Sequence, residues 1–277
     1  GCEPSTVNAR GNEGPEVFAA RRAAAYRAYW EHMPLRLRAR PTAEDMPLFT
    51  VCDYGALLRI QILDTRQYRS DQPCGTPERL GGQVTPGCAE RTDPAREMIG
   101  PAQEQWLLHG LDQSRAQWNV IAQTMLMASL DQRPGPGESW WSDGWDGYPA
   151  ARERILNFIA QRRPSNPVVL GGDIHSFWAT ELSVSGAAGA AAVATEFVGT
   201  SISSPGVSHT AISAMRPDNP HVKFCDARFR GYVRCQVTPA GWRTDFRALT
   251  DVRDPASNIS TLASFQVENG RPGPLPA

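Results

Sequence analysis

Residues Val168 to Trp178 read VVLGGDIHSFW, an apolar run that stops at a Gly-Gly pair and then presents an acid and an imidazole two positions apart. Val168, Val169 and Leu170 are apolar without alternation, the pattern of a strand buried on both faces of an α/β sheet. Ligands in such sheets gather beyond the carboxyl ends of the strands, which is where Asp173 and His175 stand. In extended backbone, side chains two apart share a side, so a D-x-H step aims a carboxylate oxygen and an imidazole nitrogen at one ion. The competing reading is a capped turn, in which Asp173 accepts backbone N–H groups and His175 is simply packed.

The flanking sequence alternates helix and strand patterns. Glu16 to His32 predicts a sheet-covering helix, with Pro15 in its first turn and Pro34 as its stop. His32 then reads as a cation at a helix C-terminus rather than a ligand. Leu57 to Leu63 predicts a strand that delivers Asp64, Arg66 and Tyr68 to its end. Asp64 and Arg66 either support the site or face a phosphate, or they form a structural ion pair, which is the favoured reading because a buried acid and guanidinium need each other. A helix over Pro101 to Leu111 is followed by a strand over Trp118 to Thr124. The long loop from Asp131 to Tyr148, crowded with Gly, Pro and Trp, is of the kind that carries function. Pro149 opens a helix with Ile155, Phe158 and Ile159 on its buried stripe, completing a βαβ unit with the GGDIH strand. Strands dominate thereafter, at Ala179–Val184, Ala192–Val198, Gly231–Val237 and Trp242–Ala248, the last two forming a hairpin around Thr238 to Gly241. From Asp251 the chain is polar and is expected to be loosely held.

Further motifs stand around the GGDIH strand in a fixed order. They are Ala23–Arg36 (AAAYRAYWEHMPLR), Leu63–Gly75 (LDTRQYRSDQPCG), Gln117–Ala128 (QWNVIAQTMLMA), Trp140–Glu153 (WWSDGWDGYPAARE) and Thr195–Gly206 (TEFVGTSISSPG). In this order and at these spacings the sequence resembles the PhoD-like family of alkaline phosphatases, from about Glu16 to about Arg247. The resemblance implies an α/β fold, a layered metallophosphoesterase-like sheet sandwich with covering helices, of which this chain carries the C-terminal half. Residues 1–15 then form a polar N-terminal loop, 16–250 the C-terminal part of the metallophosphatase domain, and 251–277 a polar tail. The family's Cys-Asp pair, Asp-Tyr step and Asp-Asp-His-Glu run, which supply most of its metal shell, have no match here. The expected partners are therefore that N-terminal half of the domain and a phosphate-ester substrate. The resemblance also implies export, a mixed calcium and iron site, and Asp173 and His175 as metal ligands.

Other side chains have two readings each. Asp143 and Asp146 could supply oxygen ligands, with Trp141 and Trp145 walling the cleft, although Asp146 reads better as a cap on the helix at Pro149. Glu196 could orient a metal-binding histidine or pair with an arginine. His209 and His221 could contact phosphate but read better as surface residues. Thr200, Ser201 and Ser203 lack a G-x-S-x-G elbow, and no P-loop is present. Cys74 and Cys88 bracket a Gly/Pro-rich loop that a disulfide would restrain. Cys225 and Cys235 are a weaker pair, and Cys52 and Cys2 have no evident partner.

A formal charge of -1 gives no electrostatic footprint for nucleic acid. No run approaches the roughly 20 apolar residues of a membrane helix. The leading function is metal-dependent hydrolysis of phosphomonoesters, extending to phosphodiesters. The alternatives are a noncatalytic binding module that retains half of the fold, and phospholipase D-type hydrolysis within the same family.

Overall fold

The computed structural model describes residues 14–42, 45–76, 81–185 and 189–277; the expected loop at 1–15, with Cys2, lies almost wholly outside them. In chain order the elements are α1 (Pro15–His32), β1 (Thr50–Tyr54), β2 (Leu58–Ile62), β3 (Val84–Pro86), α2 (Pro101–Asp112), β4 (Trp118–Ala122), β5 (Ser139–Trp141) and α3 (Pro149–Arg162). There follow β6 (Pro167–Gly171), β7 (Phe177–Leu182), β8 (Ala194–Val198), α4 (His209–Met215), β9 (Val222–Asp226), β10 (Arg230–Val237), β11 (Gly241–Leu249), β12 (Ile259–Glu268) and β13 (Arg271–Pro276).

Seven strands form a mixed sheet in the order β1-β2-β4-β6-β8-β7-β9. Its centre, β2, β4, β6 and β8, is parallel, and β1, β7 and β9 join antiparallel at the edges. A parallel centre must be covered on both faces, and the strand residues divide accordingly. Trp118, Val120, Val168, Phe177 and Phe197 point to one side, where they meet Trp242, Phe246, Phe265 and Val267 of the antiparallel sheet β10-β11-β12-β13. Ile121 and Val169 point to the other side and meet Leu107 and Leu111 of α2 and Ile155, Leu156 and Ile159 of α3. Phe246 anchors the contact between sheets, with ring centroids 5.2 Å from those of Phe177 and Phe224. The result is the expected sheet sandwich with covering helices.

Both sheet-covering helices begin on a proline, where the missing N–H leaves no bond unmade. On α3, Leu156 is buried and Phe158 only partly so, a small change from the expected stripe.

The first helix departs from its expected role. None of residues 16–32 is buried, and Val17 and Tyr29 are largely exposed, so α1 does not cover the sheet. Its half-buried apolar residues, Phe18, Ala19, Ala23, Tyr26 and Trp30, recur at helical spacing, so the helix has one apolar face that is only partly covered while the rest stays exposed.

A second departure is at the C-terminus. Residues from Asp251 onward read as a loose polar tail, yet 259–276 forms β12 and β13. Phe265 and Val267 alternate inward from β12 and are buried, and the backbone N–H of Gly273 donates to Thr195 Oγ1 at 2.8 Å, tying β13 to the seven-stranded sheet.

Cys74 and Cys88 form a disulfide with Cα atoms 6.1 Å apart. Cys52, Cys225 and Cys235 are free thiols; Cys225 and Cys235 lie on strands of different sheets. No helix among the described residues is long and apolar enough to cross a membrane.

Candidate active site

The site is built where β6 ends. A side chain at Gly171 would place its Cβ 2.1 Å from the carbonyl oxygen of Met125, so only glycine lets the strand pass this close to the β4 loop. Beyond Gly172 the chain does not stay extended. Asp173 has φ 67° and His175 φ 58°, both left-handed, and the Ile174 N–H between them donates to Gly172 O at 2.8 Å. The D-x-H step is therefore a tight turn and not a strand alternation. Left-handed backbone costs a residue with a Cβ roughly 1–2 kcal/mol, and strain of this kind gathers at functional sites.

Asp173 Oδ2 accepts from Arg66 Nη2 at 3.2 Å. The other Arg66 terminal nitrogen, Nη1, donates to Asp143 Oδ2 at 2.8 Å, so one guanidinium bridges two carboxylates from distant loops. Asp143 also receives Arg69 Nη2 at 2.8 Å and Gln72 Nε2 at 2.7 Å. Burial raises the Asp143 carboxyl pKa, but the bonds from Gln72 and Arg66 and the charges of Arg69 and Arg66 outweigh it and leave the pKa below the ordinary aspartate value. His175 Nδ1 lies 2.9 Å from Pro205 O. A carbonyl can only accept, so Nδ1 carries the proton and, in the neutral ring, Nε2 keeps its lone pair, the arrangement that orients a histidine for a metal.

Arg230, absent from the sequence reading, holds this turn from behind. Its Nη1 donates to His175 O at 2.9 Å, Ser201 Oγ at 2.7 Å and Ser204 O at 3.1 Å, fastening the turn to the 200–206 loop. Nothing in the FRGYVRC context distinguishes it from a surface arginine.

The remaining candidates are placed elsewhere. Asp64 does not pair with Arg66; its Oδ1 accepts the N–H groups of Arg66 at 2.9 Å and Gln67 at 3.0 Å, capping the turn that aims Arg66. Asp146 caps no helix, since the first turn of α3 has no side-chain cap. It forms a buried pair with Arg152, Oδ1 to Nη1 at 2.7 Å, and its Oδ2 accepts from Leu130 N at 2.9 Å. His209 Nδ1 approaches Asp226 at 4.0 Å, and His221 Nε2 donates to Ser129 O at 2.7 Å. His221 is partly buried, and that burial lowers its pKa.

Among the described residues, Glu196 hydrogen-bonds to neither a histidine nor an arginine side chain, and feels Arg152 only through its charge. It is fully buried, and accepts from Met127 N at 2.6 Å, Ala128 N at 2.9 Å and Thr180 Oγ1 at 3.1 Å. Burial pushes its pKa up to about 7 against the pull of those donors. Because the folded value exceeds the ordinary 4.5, its contribution to stability is full below that value and is lost as pH rises through about 7. Urea midpoints of the parent should fall across this window, and Glu196→Gln should flatten the fall. A parallel fall in both proteins would exclude Glu196 as its source.

Arg66, Asp143, Asp173 and His175 line a cavity of about 490 Å³, walled elsewhere mainly by apolar side chains that include Met125, Trp141, Trp145, Trp178 and Ile212, with Gln132, Asp146 and Ser208 as the other polar members. A carboxylate oxygen and an imidazole nitrogen at its edge are of the type that fills two positions of a metal site. Among the described residues, no three His, Cys, Asp or Glu side chains gather to hold an ion by themselves.

The sequence profile of the PhoD-like phosphatases matches residues 3–246. Alkaline phosphatase D of Bacillus subtilis (strain 168) is 42% identical over 262 residues, covering 93% of this chain and 44% of that protein. A solved structure of PhoD superposes with a TM-score of 0.88 at 39% identity, covering 99% of this chain and 52% of the other. The chain thus spans about half the length of these relatives. With the profile matching most of its length and the fold shared nearly end to end, this chain belongs to the PhoD-like phosphatase family.

Proposed function

We propose that this chain forms one wall of a metal-dependent phosphoesterase site that hydrolyses phosphomonoesters and also phosphodiesters. The observation that carries the reading is the left-handed turn at the end of β6, which sets Asp173 and His175 at the edge of a cavity while the Pro205 carbonyl holds the proton on His175 Nδ1 and so leaves the lone pair of a neutral ring on Nε2. Those two would hold calcium and iron, the ions implied by family resemblance, and the other ligands would come from the part of the longer relatives that this chain does not span. Bound there, the ions would supply Lewis-acid polarisation of the phosphoryl group. Arg66 orients Asp173 and adds positive charge beside an anionic substrate, and Asp143 in turn holds Arg66. The disulfide between Cys74 and Cys88 supports an oxidising compartment, and with it export.

Metal analysis and turnover of a chromogenic phosphomonoester test this reading on two lengths of protein. The 277-residue chain should hold little metal and turn over at background. A protein extended upstream to the length of the relatives and supplied with calcium and iron should hydrolyse the ester. Robust turnover by the shorter chain would refute a shared metal shell. No turnover by the extended protein would favour a noncatalytic binding module.

A further inference from the structure

Trp145 and Trp178 are buried beside Asp173 and His175, and both have already committed their only polar group. Trp145 Nε1 donates to Gln123 Oε1 at 3.1 Å, and Trp178 Nε1 donates to Ser176 Oγ at 2.7 Å. What they can offer the cavity is ring carbon. Ile212 and Met215 of α4 add aliphatic surface to the same wall. At the mouth, Val84, Trp141 and Val207 come from three separate segments and remain 46%, 39% and 48% exposed. Apolar side chains gathered at the mouth of a cavity are one signature of a ligand groove, and a cavity of about 490 Å³ matches those that hold small organic molecules.

Resting on the phosphoesterase reading, we propose that this cavity is the subsite for the alcohol portion of the ester and that it takes an aromatic or branched aliphatic group. The phosphoryl end is fixed by Asp173, His175 and Arg66, and the carbon-lined wall begins at Ile174 and Trp178, within three residues of His175. A sugar or glycerol group placed against the inner wall would lose its hydrogen bonds to water and find the indole N–H groups of Trp145 and Trp178 already taken, a cost of about 1–3 kcal/mol per unpaired group. A naphthyl or branched alkyl group loses nothing on entry and gains from the burial of its own surface.

Two measurements test the assignment. Isothermal titration calorimetry of the 277-residue chain with 1-naphthol, which carries no phosphate and needs no metal, should show binding. Ala211→Trp fills the cavity from an exposed position on α4 and should weaken that binding at least tenfold, as should Val207→Asp at the mouth, which provides an independent check should the bulkier change disturb α4. In the extended protein, the ratio of kcat/KM for 1-naphthyl phosphate to that for glycerol 2-phosphate should fall about tenfold in either variant, which cancels the intrinsic reactivity of the two leaving groups. No naphthol binding, binding unaltered by both substitutions, or an unchanged ratio would overturn the subsite. Naphthol binding that responds to both substitutions, in an extended protein that hydrolyses neither ester, would sink the phosphoesterase reading while the apolar subsite stands.

Discussion

Asp173→Asn, introduced into the protein extended to the length of its relatives, is expected to strip most of the bound metal and lower phosphomonoester hydrolysis by about two to three orders of magnitude. Metal polarisation is worth several kcal/mol of transition-state stabilisation, and each 1.36 kcal/mol is about tenfold in rate. Asparagine is chosen because position 173 has φ 67°, a conformation that Asn tolerates and Ala resists. Alanine would mix backbone strain with ligand loss. The amide oxygen can still accept from Arg66, and the pair being replaced is half-exposed, so its loss should cost at most about 1 kcal/mol. The melting temperature should therefore hardly move, and elemental analysis beside a rate assay separates chemistry from unfolding. Retention of near-parental metal and rate would remove Asp173 from the proposed ligand set.

Asp146→Ala should have the largest effect on stability, about 3–5 kcal/mol, because it leaves the guanidinium of Arg152 buried with its charge partner gone. The two side chains are buried and meet at 2.7 Å, and Arg152 also donates to Met127 O at 3.3 Å. Asp146 further accepts from Leu130 N, so the loss leaves a backbone donor unsatisfied on a residue that lines the cavity. Urea denaturation read at a fixed pH provides the value, and Asp146→Asn, which keeps an acceptor but not the charge, should fall between parent and alanine. A cost below about 1 kcal/mol for the alanine variant would place this pair with ordinary surface bridges.

The parts of the fold that the sequence predicts correctly are those governed by a repeating pattern. The unalternating VVL of β6 and the 3.6-residue stripes of α2 and α3 each describe an element covered by neighbours on known sides, and the structure follows them. The C-terminal segment departs from its expected looseness for a physical reason. Polar residues outnumber apolar ones in NISTLASFQVE, and only the inward alternation of Phe265 and Val267 betrays a strand. At the site, residue types led to Asp173, His175, Arg66 and Asp143, but their conformation and pairing did not follow from type. A left-handed turn at two non-glycine residues is disfavoured locally and is imposed by its surroundings, among them Arg230 and Pro205. The arginine that bridges positions 143 and 173 could not be matched to its acids from a linear chain in which Asp64 stands two residues away.

The composition of β13 also bears on how copies of this protein behave at high concentration. β13 ends the four-stranded sheet, and Pro272, Pro274 and Pro276 carry no amide hydrogen at every second position, while Ala277 turns its own inward to Ser264 O. An incoming extended segment would find few donors along that border with which to continue the ladder. Self-association by strand addition is therefore disfavoured at this margin by the prolines themselves, beyond whatever the exposed charge of Arg271 contributes.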